Sequence, residues 1–126
     1  KNSVPFTPEE AKKLYYDADI MTHNHPNDSA LSYEDIVALK KLNLTEIRVV
    51  TKNYVYRAKN TGEWKVPNEK MKNIYNTEFS KVVSKHSWYM EKAGGNVKKA
   101  NNLAGMDVNI TLAEKFGFEF IIEERK

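Results

Sequence analysis

The first part of the chain combines a helix signal with a short apolar run typical of a buried strand. Thr7-Pro8-Glu9-Glu10 gives a capping hydroxyl, a proline at the first helical position and a glutamate at the third, which predicts a helix to about Ala18. Asp19–Thr22 is predicted to be a strand that leads into His23-Asn24-His25-Pro26. Because proline removes a backbone donor, the strand should end there.

A second helix and a hairpin are predicted next. Ser32-Tyr33-Glu34-Asp35 opens a helix with a broad apolar face, which should stop near Asn43. Glu46–Val50 and Tyr54–Arg57 are rich in β-branched and aromatic residues and lie close together in the sequence. They are therefore predicted to pair as a β-hairpin.

The second half of the chain is predicted to be mainly helical. Apolar residues recur at helical spacing over Met71–His86, and Gly94-Gly95 ends this long third helix. Shorter helices are predicted at Val97–Leu103 and at Thr111–Phe116, the second of them closed by Gly117, and the alternating run Phe118–Glu123 is predicted to be a closing strand. Together these elements predict an α+β fold, with a small mixed sheet flanked by helices.

The composition supports one domain over residues 1–126. The chain is 40% apolar and 29% charged, which is typical of a globular protein with a single core. No apolar run approaches the roughly 20 residues needed to cross a bilayer, so no membrane partner is expected. The start at Lys1, without methionine or signal sequence, indicates a domain excised from a longer parent chain.

Charge and cysteine content narrow the possible chemistry. The net charge of +3 is spread along the chain and favours anionic partners only weakly. Arginine is scarce, with only Arg48, Arg57 and Arg125, which argues against sequence-specific DNA recognition. Cysteine is absent, so any metal must be held by His, Asp or Glu.

Two histidines and one aspartate form a candidate metal site. In a strand, the spacing of His23 and His25 points both rings to the same face. Asp35 lies in the first turn of the next helix, so a strand–loop–helix unit could bring its carboxylate to both imidazoles. Such a set leaves a position open for water and suits zinc, while Mn, Ni or Fe remain alternatives.

Simpler interpretations exist for each of these residues. Ser32 and Asp35 are also the residues of a capping box, which needs no metal. His23 and His25 could be exposed turn residues or hydrogen-bonded structural groups. His86 lies on the apolar stripe of the third predicted helix, where a boundary histidine is more common than a catalytic one.

The same residues carry a resemblance to a known family. Thr22-His23-Asn24-His25-Pro26 followed by Ser32-Tyr33-Glu34-Asp35 resembles the His-x-His-Pro and Ser-x-x-Asp motif of the JAB/JAMM metallohydrolases. The element order over residues 7–58 is similar to the core of that family, and residues 68–126 would be a helical extension with a final strand.

A resemblance to a more specific group of proteins extends over more of the chain. The run Asp19–Arg57 is similar to a domain at the C-terminal end of phage minor head proteins. The helical tail, with His86, Trp88 and the ending Phe116-Gly117-Phe118, is similar to that group as well.

The JAMM resemblance implies a role for each motif residue. It implies that His23, His25 and Asp35 bind one zinc ion, and that Ser32 stabilises the oxyanion formed when activated water attacks a carbonyl. The family's general base is a glutamate on a strand before the first helix. No acid occurs in Lys1–Phe6, so either this base lies upstream of residue 1, as expected, or the site binds metal without JAMM peptidase chemistry. The loop between the two motifs is also one residue shorter than is usual in the family.

Three functions follow as hypotheses. The first is a JAMM-type, zinc-dependent hydrolase that cleaves a peptide or isopeptide bond in a peptide or protein substrate. The second is a nuclease-type effector or toxin domain, in which His23, His25 and His86 act on RNA or DNA. In that case Tyr54, Tyr56 and Trp64 could stack on bases, although core and rim packing is the simpler role. The third is a non-enzymatic phage structural module. The sequence leaves the location of the protein open: it could be cytoplasmic, virion-associated or a delivered effector.

Overall fold

A computed structural model describes residues 20–25 and 28–125 of the chain. The helix predicted over residues 7–18 lies outside the described residues. In chain order the described elements are β1 (Ile20–Asn24), α1 (Tyr33–Lys41), β2 (Glu46–Val50), β3 (Tyr54–Lys59), α2 (Asn68–Val83), α3 (His86–Lys92), α4 (Val97–Phe116) and β4 (Glu119–Glu124).

The fold is α+β, as predicted. The four strands form one mixed sheet in the order β1-β2-β3-β4. β1 and β2 run parallel, which requires a crossover, and α1 lies in that crossover. β2 and β3 form the predicted antiparallel hairpin, and β4 pairs antiparallel with β3 at the edge. The predicted closing strand is therefore confirmed.

The core lies between the helices and one face of this sheet. Strand alternation puts Met21, Ile47, Val49, Tyr56 and Ala58 on the same face, and all five are buried. The helices cover them with fully buried side chains, among which the largest are Ile36, Leu39, Met71, Leu112 and Phe116. Because His23 follows Met21 at a spacing of two, β1 directs the imidazole to this covered face.

The prediction of one long third helix is wrong beyond Val83. α2 ends at Val83, and α3 starts only at His86. At the break, the Ser84 hydroxyl donates to the Lys81 carbonyl oxygen over 2.7 Å, and Lys85 N–H donates to the Val82 carbonyl in a tightened turn. A serine that bonds back to the preceding turn competes with the helical ladder, which accounts for the interruption.

The two short helices predicted after Gly94-Gly95 are instead one helix. α4 runs without interruption from Val97 to Phe116 and passes through Gly105. A glycine in a helix interior costs only about 1 kcal/mol, and α4 buries side chains along most of its length, so packing outweighs the local preference. None of the helices in the described part of the chain is both long and apolar enough to span a membrane.

Gly117 ends α4 as predicted, and its conformation explains why. Its φ is +97°, in the left-handed region, and its N–H donates to the Ala113 carbonyl. A Cβ at this position would overlap the carbonyl oxygen of Glu63, in the loop that crosses the end of the helix. Both the backbone conformation and the close approach therefore require glycine.

We expect Gly117→Ala to lower the free energy of unfolding by at least about 2 kcal/mol, because it adds the left-handed penalty to an overlap with backbone. Gly105→Ala is the matched control. Gly105 lies inside α4 with no atom within 4 Å of an added Cβ, so this variant should gain about 0.5–1 kcal/mol. Urea denaturation of both variants tests the pair, and equal midpoints would contradict this account of Gly117.

Candidate metal centre

His23, His25 and Asp35 converge on one point. One potential ligand atom from each residue lies within 4.8 Å of the other two. Within residues 20–25 and 28–125, no fourth His, Asp or Glu joins this group. The strand–loop–helix unit predicted from the sequence therefore does bring these three side chains together.

The two histidines owe their placement to the parallel pairing of β1 with β2. His23 pairs with Val49 in the register, and His25 N–H donates to the Val50 carbonyl oxygen over 3.0 Å, one residue beyond the strand. This bond keeps the extended spacing through His25, so both imidazoles face the same side. Each side chain is 17% exposed, which leaves one edge of the site open.

Asp35 has two roles at once. One carboxylate oxygen, Oδ2, accepts from the Ser32 N–H over 3.0 Å, and the Ser32 Oγ accepts from the Asp35 N–H over 3.2 Å. This is a complete capping box at the start of α1. The other oxygen, Oδ1, lies 2.8 Å from Nδ1 of His23. The capping and ligand interpretations are compatible, because each carboxylate oxygen has two lone pairs and the Ser32 N–H uses only one of those on Oδ2.

His25 is held with one ring nitrogen turned towards Asp35. Its Nδ1 lies 3.1 Å from the Ser29 carbonyl oxygen, which can only accept, so we assign the proton to Nδ1. Nε2 then carries a lone pair and lies 3.7 Å from Oδ2 of Asp35. That distance is too long for a hydrogen bond. It is close to the separation of about 3.3 Å between two ligands of one tetrahedral zinc ion.

The electrostatics of the site keep Asp35 ionised. Its side chain is only 3% exposed, and burial alone would raise its pKa. Hydrogen bonds from His23 and from the Ser32 N–H, together with the charges that both histidines carry when protonated, outweigh burial and lower the pKa of Asp35 below its ordinary 3.8. Conversely, the bond to Asp35 raises the pKa of His23 above 6.5 against the opposing effect of burial.

Ser32 and His86, the two catalytic candidates, lie outside this cluster. Ser32 is the N-cap of α1, and its hydroxyl proton is not needed by the cap, where the oxygen accepts. The sequence predicted His86 on the apolar stripe of one long helix, and this is wrong because α2 ends before it. His86 is the exposed first residue of α3. Both line a cavity of about 610 Å³ that also touches His25.

The sequence interpretation missed Asn109. This α4 residue is 2% exposed, and its Oδ1 accepts from Leu31 N–H over 2.8 Å while Nδ2 donates to the Leu31 carbonyl over 3.4 Å. Asn109 therefore fixes the residue that directly precedes Ser32. The only signal in the sequence was an amide between Val108 and Ile110 in an otherwise apolar stretch, and nothing local identified a partner 78 positions away.

The aromatic residues considered for base stacking are engaged in packing. Tyr56 is fully buried, and its hydroxyl donates to the Asp28 carbonyl oxygen over 2.8 Å. Trp64 donates to Asn60 and packs against Phe118. Tyr56 therefore offers no free face to a nucleobase. Trp64 is half-buried, and Tyr54 packs against Tyr56 at a depression that Lys98 and Lys99 also line, so packing contacts describe these two rings without excluding stacking.

Comparison with known proteins does not assign this site. No family model, no curated protein and no solved structure matches the chain. The function must therefore be argued from the three converging side chains and from the cavity beside them.

We expect Asp35→Asn to separate capping from metal binding. The amide oxygen can still accept from the Ser32 N–H, so the metal-free variant should lose at most about 1 kcal/mol of stability. Zinc binding should fall far more, because a neutral amide replaces the anionic ligand. Asp35→Ala should lose both properties.

Urea denaturation in EDTA and thermal unfolding with added zinc measure the two effects of these Asp35 variants separately. Retention of the wild-type zinc shift by Asp35→Asn would reduce Asp35 to a capping residue.

We also expect zinc binding to shift the titration of the His23 ring. Below the raised pKa of His23 the imidazole carries a proton that zinc must displace, and above that pKa the ring is already neutral. NMR spectra of this ring, followed as the pH is lowered, should show that it takes up its proton at a lower pH with zinc bound than in the metal-free chain.

His86→Gln is the control for this titration, because it removes a histidine outside the cluster and should leave the effect of zinc on the His23 ring unchanged. A His23 ring that takes up its proton at the same pH with and without zinc would contradict the role of His23 as a ligand.

Proposed function

We propose that this chain is a metal-dependent hydrolase that holds one zinc ion with His23, His25 and Asp35 and cleaves a peptide or isopeptide bond. The observation that carries the proposal is the 3.7 Å spacing between His25 Nε2 and Asp35 Oδ2. Both atoms present lone pairs, so neither can donate to the other, and they are held at nearly the separation of two ligands of one ion.

The donor set fits zinc. Two imidazole nitrogens and one carboxylate are ligands found in catalytic zinc sites, which have three protein ligands and keep a fourth position open. The Ser29 carbonyl beside His25 Nδ1 is the kind of outer partner that orients a ligating histidine. A zinc ion bound here would act as a Lewis acid, lowering the pKa of water to about 7 and polarising a carbonyl group.

Ser32 is the residue that we assign to the substrate carbonyl. Its oxygen accepts from the Asp35 N–H, so the hydroxyl proton is free of the cap and can be donated. Ser32 also lines the cavity next to His25. A hydroxyl donor at this place can stabilise negative charge that develops on a carbonyl oxygen.

His86 is the candidate for proton transfer. It lines the same cavity as His25 and Ser32, and its exposed ring can exchange protons with solvent. In this proposal it delivers a proton to the departing amine. The general base implied by the JAMM resemblance is a glutamate, and no glutamate lines the cavity in the described part of the chain.

The cavity favours an uncharged substrate over RNA. Among the described residues, those that line the cavity include no Lys or Arg. A phosphodiester would therefore find no permanent cation beside the histidines, whereas phosphate recognition ordinarily relies on such groups. A peptide carbonyl needs only a hydrogen-bond donor, which Ser32 supplies.

Metal analysis and an activity screen test the proposal directly. The purified chain is depleted with EDTA, loaded with zinc, manganese, nickel or iron, and incubated with a mixed peptide library, an isopeptide-linked substrate and RNA. The proposal requires zinc-dependent appearance of new amino groups from the first two substrates. Cleavage of RNA alone would favour the nuclease alternative, and zinc binding without any cleavage would favour a structural role.

We expect substitutions of Ser32 to divide capping from catalysis. Gly is nearly as good an N-cap as Ser and has no side-chain donor, so Ser32→Gly should keep stability within about 0.5 kcal/mol and lose on the order of 100-fold in kcat. Ser32→Thr keeps both functions and serves as the control. Ser32→Ala should lose the activity and about 1 kcal/mol of stability.

Denaturation, zinc titration and steady-state rates on the same three Ser32 variants provide the measurements. Wild-type kcat in Ser32→Gly would leave Ser32 as a cap only.

A further inference from the structure

The cavity beside the metal centre has room for part of a ligand. Its volume is about 610 Å³, within the range of about 300–1,000 Å³ that is typical of ligand pockets. His25 and Ser32 form one end, and residues of α2, α3 and α4 form the other walls. The C-terminal helices therefore build a space that opens onto the candidate active site.

One wall is an apolar face of α2. Tyr75, Phe79, Val82 and Val83 follow one another at helical spacing on the side that faces the cavity. Phe79 is 47% exposed and Val83 is 58% exposed, which is high for large apolar side chains placed together. The Tyr75 and Phe79 rings stack with centroids 6.1 Å apart, so this wall is ordered by its own contacts.

The opposite wall is made of small residues of α4, which leave the space open. Ala100, Ala104 and Gly105 line it. An added Cβ on Gly105 would meet no atom within 4 Å, so nothing in the described part of the chain fills the space above this residue.

The polar groups of the cavity lie at particular places. No Asp, Glu, Lys or Arg occurs among the described residues that line it. Tyr89 donates its hydroxyl proton to Asp107 over 2.7 Å, so this proton is already used outside the lining. The cavity is thus polar where it meets His25 and Ser32, has His86 and Asn101 on its helical walls, and is otherwise apolar between α2 and α4.

We propose that this cavity binds one large, uncharged apolar side chain of the substrate, of leucine or phenylalanine size, adjacent to the bond that is cleaved. An amino-acid residue has the same polarity gradient, with a polar backbone attached to an apolar side chain. Its carbonyl would face Ser32 and its side chain would lie against Phe79 and Val83. The cleavage rests on the proposed function above, but the binding of the side chain does not.

Binding of small probes tests the cavity without any activity. The probes are the N-acetyl amides of leucine, phenylalanine, alanine and glutamate, titrated into the full chain with and without zinc and followed by amide NMR shifts. Burying the larger side chains should make leucine and phenylalanine bind at least about tenfold more tightly than alanine. The shifts should centre on residues 100–105 and 79–83, and the glutamate probe should bind most weakly.

Two variants alter the cavity in opposite ways. Ala104→Leu fills the space, and Phe79→Ala removes part of the apolar wall, from a side chain that is half exposed. Each should reduce the affinity for the leucine and phenylalanine probes about tenfold while leaving the zinc-dependent thermal shift unchanged. Asn102→Leu is the matched control, because Asn102 is on the same helix and lines a different depression.

The outcomes distinguish this inference from the proposed function. If the zinc-loaded chain cleaves no peptide but the probe preference and the effects of the variants hold, the hydrolase fails and the side-chain pocket stands. If peptides are cleaved without preference for a large apolar residue, the pocket is overturned. Equal binding of all probes, shifts located elsewhere, or wild-type affinity in both cavity variants would also overturn it.

Discussion

The buried carboxylate of Asp35 is the group on which this structure depends most. A charge that is 3% exposed must be compensated, or it would cost several kcal/mol. The Ser32 N–H compensates it from the start of α1, and His23 does so from β1. The same side chain therefore starts a helix, joins it to the sheet and orients a histidine, so local folding and the proposed metal binding depend on the same atoms.

A second anchor comes from the distant helix α4. Asn109 bonds both the N–H and the carbonyl of Leu31, the residue before Ser32. Because the amide is buried, these bonds are made in a medium of low dielectric constant, and losing one partner would leave a polar group unsatisfied. The start of α1 is thus fixed from two directions, by β1 through Asp35 and by α4 through Leu31. A metal site needs such support, because its ligands must be held close to their final geometry.

The parts of this structure that could be predicted from the sequence are those governed by local rules. The capping box of Ser32 and Asp35, the same-side placement of His23 and His25, and the stop at Gly117 each follow from backbone geometry over a few residues. The continuity of α4 could not be predicted, because tertiary burial outweighs the helix-breaking tendency of Gly105. The prediction that His86 lies on a continuous third helix was wrong because of a local contact. The hydrogen bond from Ser84 back to Lys81 interrupts an apolar pattern that is continuous in the sequence.

The distinction between local rules and tertiary packing also separates the chemistry of the candidate site from its selectivity. All three potential metal ligands belong to one strand–loop–helix segment, whose geometry is largely set by its own capping and strand pairing. The cavity, in contrast, is formed only when α2 and α4 pack beside that segment, so the C-terminal half determines which groups can approach the metal centre. His25 and Ser32 belong to both, since each contributes to the cluster or its cap and also lines the cavity. Changes on α4 that spare Asn109 can therefore alter selectivity without moving the ligands, whereas changes at Leu31 or Asn109 must affect both.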